Sequence, residues 1–161
     1  MGLRCGGGLI VSWSRMSGES VPMVAVEVRQ YLTRARDFLE GMKFLGDDLG
    51  QFKSSSALLG IHCAISYSDA LRIGLGCSDV SSEDHRNAGA DLRSRLAVKK
   101  HDRPDGLNHL DKLLSRKSRV AYSAYESTRN EVGELLKHAN RFASWAESVG
   151  TELKIEEWRD D

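Results

Sequence analysis

Five stretches of the chain repeat apolar residues at spacings of three and four, separated by short polar breaks, the pattern of amphipathic helices. The first is predicted over Val21 to Leu49. Val28, Tyr31, Leu32, Ala35, Phe38, Leu39, Met42, Leu45 and Leu49 fall on one face, with Ser20 placed to cap and Pro22 suited to the first turn. The second runs from Ser55 to Leu75 with a stripe of Leu58, Leu59, Ile65, Ala70 and Ile73, and Gly74 and Gly76 end it. The third, Glu83 to Val98, follows a turn-forming loop at 77–83. Its stripe is thin (Ala88, Leu92, Leu96, Ala97), which predicts a peripheral helix. Pro104 and Gly106 punctuate the next break. The fourth helix spans Asp105 to Tyr122 through Leu107, Leu110, Leu113, Leu114 and Ala121. The fifth opens on Thr128 and Glu131, a capping box, and carries Val132, Leu135, Leu136, Ala139, Phe142, Ala143, Ala146 and Val149 to a stop expected at Gly150. Short breaks make neighbours antiparallel. The expected fold is all-α: an antiparallel up-and-down bundle of four principal helices plus a shorter fifth.

The chain has 161 residues, enough for one domain and too few for two. Residues 1–20 read as a disordered tail, 21–150 as the helical domain and 151–161 as a frayed acidic tail. No apolar run reaches the ~18 residues of a membrane span, and the patch Leu9 to Val11 is too short for a signal peptide. Cys5, Cys63 and Cys77 match no zinc or redox spacing and read as free thiols in a reducing cytoplasm.

Two polar residues interrupt the second stripe. At 3.6 residues per turn, His62 and Asp69 lie about 20° apart on a face also marked by Leu58, Leu59, Ile65 and Ile73. Seven helical residues span about 10 Å, so the two do not pair with each other, and burial demands partners from another helix. Either they make ordinary buried hydrogen bonds, or they floor a polar cleft.

Charge is segregated as well. Lys+Arg and Asp+Glu number 23 each, yet residues 86–119 hold ten basic residues against four acidic ones. This basic third is either a phosphate-attracting patch or a solvated face balanced by the acidic C-terminal segment. Its end, RKSRVAYSAYEST at 116–128, sets Arg116, Lys117 and Arg119 beside Tyr122 and Tyr125. The bases suit phosphate and the tyrosines suit base stacking, unless the bases only complement a helix C-terminus.

A helical bundle with a late basic, aromatic-rich segment resembles the HEPN superfamily. The run SSALLGIHCAISYSDALRIGLG in the second helix and the loop SSEDHR resemble a bacterial branch of HEPN-like proteins, over about residues 25–149. Many members are metal-independent ribonucleases or toxins that dimerise to join two copies of an R-x(4–6)-H motif. The matching stretch here is Lys117 to Tyr122, with Lys117 at the motif arginine and Tyr122 at the motif histidine. A tyrosine with pKa near 10 does not replace a histidine near 6.5 as a proton shuttle at neutral pH. The resemblance therefore implies RNA or nucleotide binding with a degenerate nuclease motif. It also implies a homodimer, through the outer face of the first or fifth helix, and places Asp69 and His62 opposite Lys117–Tyr122.

Other chemistry is poorly represented. There is no phosphate-binding loop, dinucleotide fingerprint or H-E-x-x-H, and no cofactor is implied. The five histidines include no pair at helical spacing, so no metal site is expected. Ser66, His62 and Asp69 have the residue types of a hydrolase triad, but one helix face does not supply its geometry. Three readings stand. The leading one is an RNA- or nucleotide-binding module using Asp69, Arg116, Lys117, Arg119, Tyr122 and Tyr125. The next is a protein-interaction or toxin–antitoxin-associated homodimer. The last is a metal-independent ribonuclease with His62 as its catalytic base.

Overall fold

The computed structural model describes residues 23–78, 80, 82–101, 104–124 and 126–159, with the backbone alone at 82–84. The expected N-terminal tail, with Ser20 and Pro22, lies outside the described residues, as does Tyr125. The helices are α1 (Met23–Gly46), α2 (Lys53–Gly74), α3 (Ala88–Val98), α4 (Asp105–Tyr122) and α5 (Arg129–Glu152). A 3₁₀ segment, Ser82–Asn87, leads into α3, and a 3₁₀ turn, Glu156–Trp158, follows α5. The described residues contain no strand, and the fold is an all-α bundle.

Facing residues fix the helix directions. Phe38 meets His62 and Gly41 faces Leu59, so α1 and α2 run antiparallel. Gly106 lies under Trp145, His109 meets His138 and Arg119 meets Glu131, so α4 and α5 also run antiparallel. Gly60 packs on Leu135 and Ala139, whereas Tyr67 bonds Glu147, so α2 and α5 are parallel neighbours.

The second helix differs from its expected one-sided form. It packs on α1, α3, α4 and α5, and 15 of its 22 residues are buried. A helix enclosed on most sides has little amphipathic asymmetry to read. Leu58, assigned to its stripe, is one of the exposed large apolar residues, while Tyr67, Ser68 and Arg72 are buried. Its end is as expected. Gly76 takes φ +89°, and its N–H and that of Cys77 donate back to Ile73 and Arg72 carbonyls at 2.9 Å.

The third helix is shorter than expected because its first turn is 3₁₀. It buries Ala88, Gly89, Leu92 and Leu96 and packs on α2 and α4. The fifth helix begins in the expected capping box. Thr128 Oγ1 accepts from the Glu131 N–H at 3.2 Å, and Glu131 Oε2 accepts from the Thr128 N–H at 2.8 Å.

Gly150 does not end α5, which continues to Glu152. A Cβ at Gly150 would stand 2.2 Å from the indole of Trp158, so the glycine is the seat for that ring. Lys154 takes φ 54° and turns the chain back, setting Ile155 onto Gly74. The frayed acidic tail expected from 151 onward is therefore corrected: Ile155 and Trp158 are buried and close one end of the core. Burying two such side chains stabilises the segment by about 1.5–3 kcal/mol each, enough to hold it despite its acidic neighbours.

Candidate polyanion site

The centre of the site is the Asp69 carboxylate, 3% exposed. It accepts from Arg72 Nη1 at 3.3 Å, and His85 Nε2 lies 3.3 Å from its other oxygen. Arg72 is itself 1% exposed and donates through Nε to Asp91 Oδ2 at 2.7 Å. Arg95 donates to Asp91 as well. Burial pushes the Asp91 carboxyl up, but the hydrogen bonds from Arg95 and Arg72 outweigh it and hold the group below its ordinary value. Two carboxylates and two guanidiniums thus tie α2 to α3, Asp69 and Arg72 shielded from water and Asp91 and Arg95 at its edge.

Asp69 was expected to find its partner on another helix. Its guanidinium partner is Arg72, one turn along the same helix, and among the described residues only His85 comes from elsewhere. The Asp-x-x-Arg spacing needed no tertiary contact. The Ser66, His62, Asp69 triad is also absent in geometry, because the Asp69 carboxylate is committed to Arg72 and His85.

Lys117 reaches this system from α4. Its Nζ lies 3.4 Å from His85 Nδ1. An ammonium has only protons to give, so Nδ1 accepts and the remaining proton of a neutral imidazole sits on Nε2, facing Asp69. His85 therefore links a buried carboxylate to a half-buried ammonium. Among the described residues no other acceptor takes the two remaining Lys117 donors.

His62 stands beside this group but is half-buried, not enclosed as the apolar stripe implied. Its ring packs against Phe38 at 5.8 Å between centroids. Burial comes first in holding the imidazole below its ordinary pKa, followed by Lys117, by His85 whenever that ring is protonated, and by Arg34. A neutral imidazole among cations marks a locally positive surface. Arg34 extends it along α1, lying over the Tyr31 ring at 4.6 Å.

The other basic residues of the 116–128 segment do not join Lys117. Arg119 donates to Glu131 of the α5 capping box, and Arg116 lines the opposite flank of α4 with Lys112. Tyr122 ends α4 and is 81% exposed, so it is held by no packing. Tyr125 is outside the described residues. The basic third of the chain is divided accordingly: Arg93 faces Asp111 at 3.6 Å, Arg95 faces Asp91, and Lys117 faces His85.

The residues that sequence reasoning missed are His85 and Arg72, which it met inside the runs that carry the family resemblance. Among the described residues there is no group of three or more metal-ligating side chains. Arg72 carried a readable signal, being a charged residue one turn from an anomalous Asp69. Two of the three thiols agree with expectation: Cys63 is free and buried, burial raising its pKa to about 12, and Cys77 forms no disulfide, while Cys5 lies outside the described residues. No helix of the described residues is long and apolar enough to cross a membrane. No protein-family model, curated protein or solved structure matches the chain.

Proposed function

We propose that the protein binds RNA, gripping a backbone phosphate between Lys117, His62 and Arg34. The observation that carries this reading is the position of Lys117, held by His85 against the buried Asp69 with donors that no other described residue takes. A surface lysine loses side-chain entropy when it captures a phosphate, whereas a lysine already placed loses less. Tyr122, exposed at the end of the same helix, offers a face for base stacking. The HEPN-like pattern of the sequence supports the same reading, with Lys117 in the place of the motif arginine. Single-stranded RNA titrated at low and moderate salt tests it. Affinity should fall steeply with salt and fall at both salts in Lys117→Ala. Cleavage without metal that vanishes in His62→Ala would add catalysis to binding.

A second reading is a homodimer through the outer face of α1. It is favoured by Val26 and Phe44, 41% and 79% exposed and five full turns apart on one face. Light scattering across a concentration series tests it, with Phe44→Asp expected to shift the mass towards one chain.

A further inference from the structure

The flank of α4 turned away from Lys117 forms a second polar concavity. We propose that the groove between α4 and α5 binds a small phosphate monoester, its phosphate held by Lys112, Arg116 and His138.

The groove encloses about 500 Å³, within the roughly 300–1,000 Å³ of small-molecule sites. Lys112 and Arg116 stand one turn apart on its α4 wall and form no ion pair with a described residue. Its two carboxylates are already engaged. Glu131 takes Arg119 and the Thr128 N–H, and Glu134 takes Lys137 Nζ at 2.6 Å. Asn130 supplies an amide at the first turn of α5, where the helix field also favours an anion. Leu113 and Leu135 line the apolar part, which suits an organic body attached to the phosphate.

The α5 wall carries His138, and His109 of α4 stands behind it, with Nδ1 to Nδ1 at 2.9 Å. Two ring nitrogens at that distance hold one proton between them. Burial first, then the surrounding cations, keep both rings below their ordinary pKa. Arg141 and Lys112 act on His109, while Lys112, His109 and Arg141 act on His138. Asp105 on α4 and Glu134 on α5 pull the other way. A dianion arriving beside Lys112 and Arg116 offsets this cationic field, so the pair takes up a second proton as the ligand binds. Affinity then rises as pH falls.

This inference does not rest on the RNA reading, because Lys112 has no part in the Lys117 cluster. Calorimetric titration of the full chain with phenyl phosphate, inorganic phosphate and sulfate tests it. Phenyl phosphate should bind more tightly than inorganic phosphate, and Lys112→Ala and Arg116→Ala should each weaken it by roughly tenfold. A phosphate monoester loses charge near its second pKa of about 6, so sulfate carries the pH arm. Its affinity should increase severalfold from pH 7.5 to 5.5 in the native chain and stay level in His138→Gln (conditions chosen around the imidazole reference of ~6.5). The proposal is overturned by an absence of phenyl phosphate binding, by unchanged affinity in both cation variants, or by sulfate affinity that is level with pH in the native chain. Equal affinity for inorganic and phenyl phosphate would remove the organic body from it.

Discussion

The two flanks of α4 use the same residue types to different ends. Towards α2, one lysine is set by a histidine on a carboxylate that is almost wholly buried. Towards α5, the charges are half-exposed: Arg119 closes on the capping-box glutamate, and Lys112 and Arg116 open on a groove. A charge fixed through a buried partner has a defined position and a large penalty for disturbance. A charge paired at the surface has neither, because solvent and salt replace the partner. Position along the sequence does not distinguish Lys117 from Arg119, two residues apart. The depth of the partner does.

The largest consequence falls on the buried side. Asp69→Ala takes from the Arg72 guanidinium one of its carboxylate partners, and breaking such a pair costs about 3–5 kcal/mol. Because Asp91 still accepts from Arg72, the expected loss in urea unfolding lies at the lower end of that range. A loss below about 1 kcal/mol would mean the buried side behaves like a surface pair.

Packing, not charge, dominates the next effect. A Cβ at Gly106 would lie 2.0 Å from the Trp145 ring, so Gly106→Ala should cost about 1–3 kcal/mol as α4 is pushed off α5. Thermal unfolding measures it, and a neutral substitution would show that this end of the interface yields freely.

Arg119→Ala should cost at most about 1 kcal/mol, since its ion pair with Glu131 is over one-third exposed on the arginine side and is discounted for screening. RNA affinity should change far less than in Lys117→Ala. Equal losses in the two variants would erase the distinction between the flanks.

The smallest effect is on pH dependence. His62, His109 and His138 all have folded pKa values below the unfolded reference. The unfolded chain therefore binds more protons as pH falls through about 6.5, and their contribution, complete above that pH, is lost on acidification. Replacing His109 and His138 together with Gln should flatten stability between neutral pH and about 5.5, as read by urea midpoints at several pH values. An unaltered slope would show that these rings titrate as they do in water.

Much of the bundle was legible because its signals are local. The α4 limits, the Thr128–Glu131 box and the Gly76 turn each depend on neighbours in sequence. The α5 stop was misread because Gly150 has a tertiary role, seating Trp158 from a segment that looks too acidic to dock. The site was half legible. Asp69 announced itself as a carboxylate on an apolar face, and the Lys117 segment as a basic run. Their connection through His85 was not visible, because His85 lies in a short 3₁₀ segment with no periodic pattern to place it. The His109–His138 pair escaped notice for the same reason, being made by two helices whose register is set by the whole core.

The most direct measurement is single-stranded RNA affinity, without metal and at two salt concentrations, for the native chain, Lys117→Ala and Arg119→Ala. The account predicts salt-sensitive binding that Lys117→Ala weakens by roughly tenfold and Arg119→Ala leaves nearly intact. Absence of binding, or binding indifferent to Lys117, would contradict it.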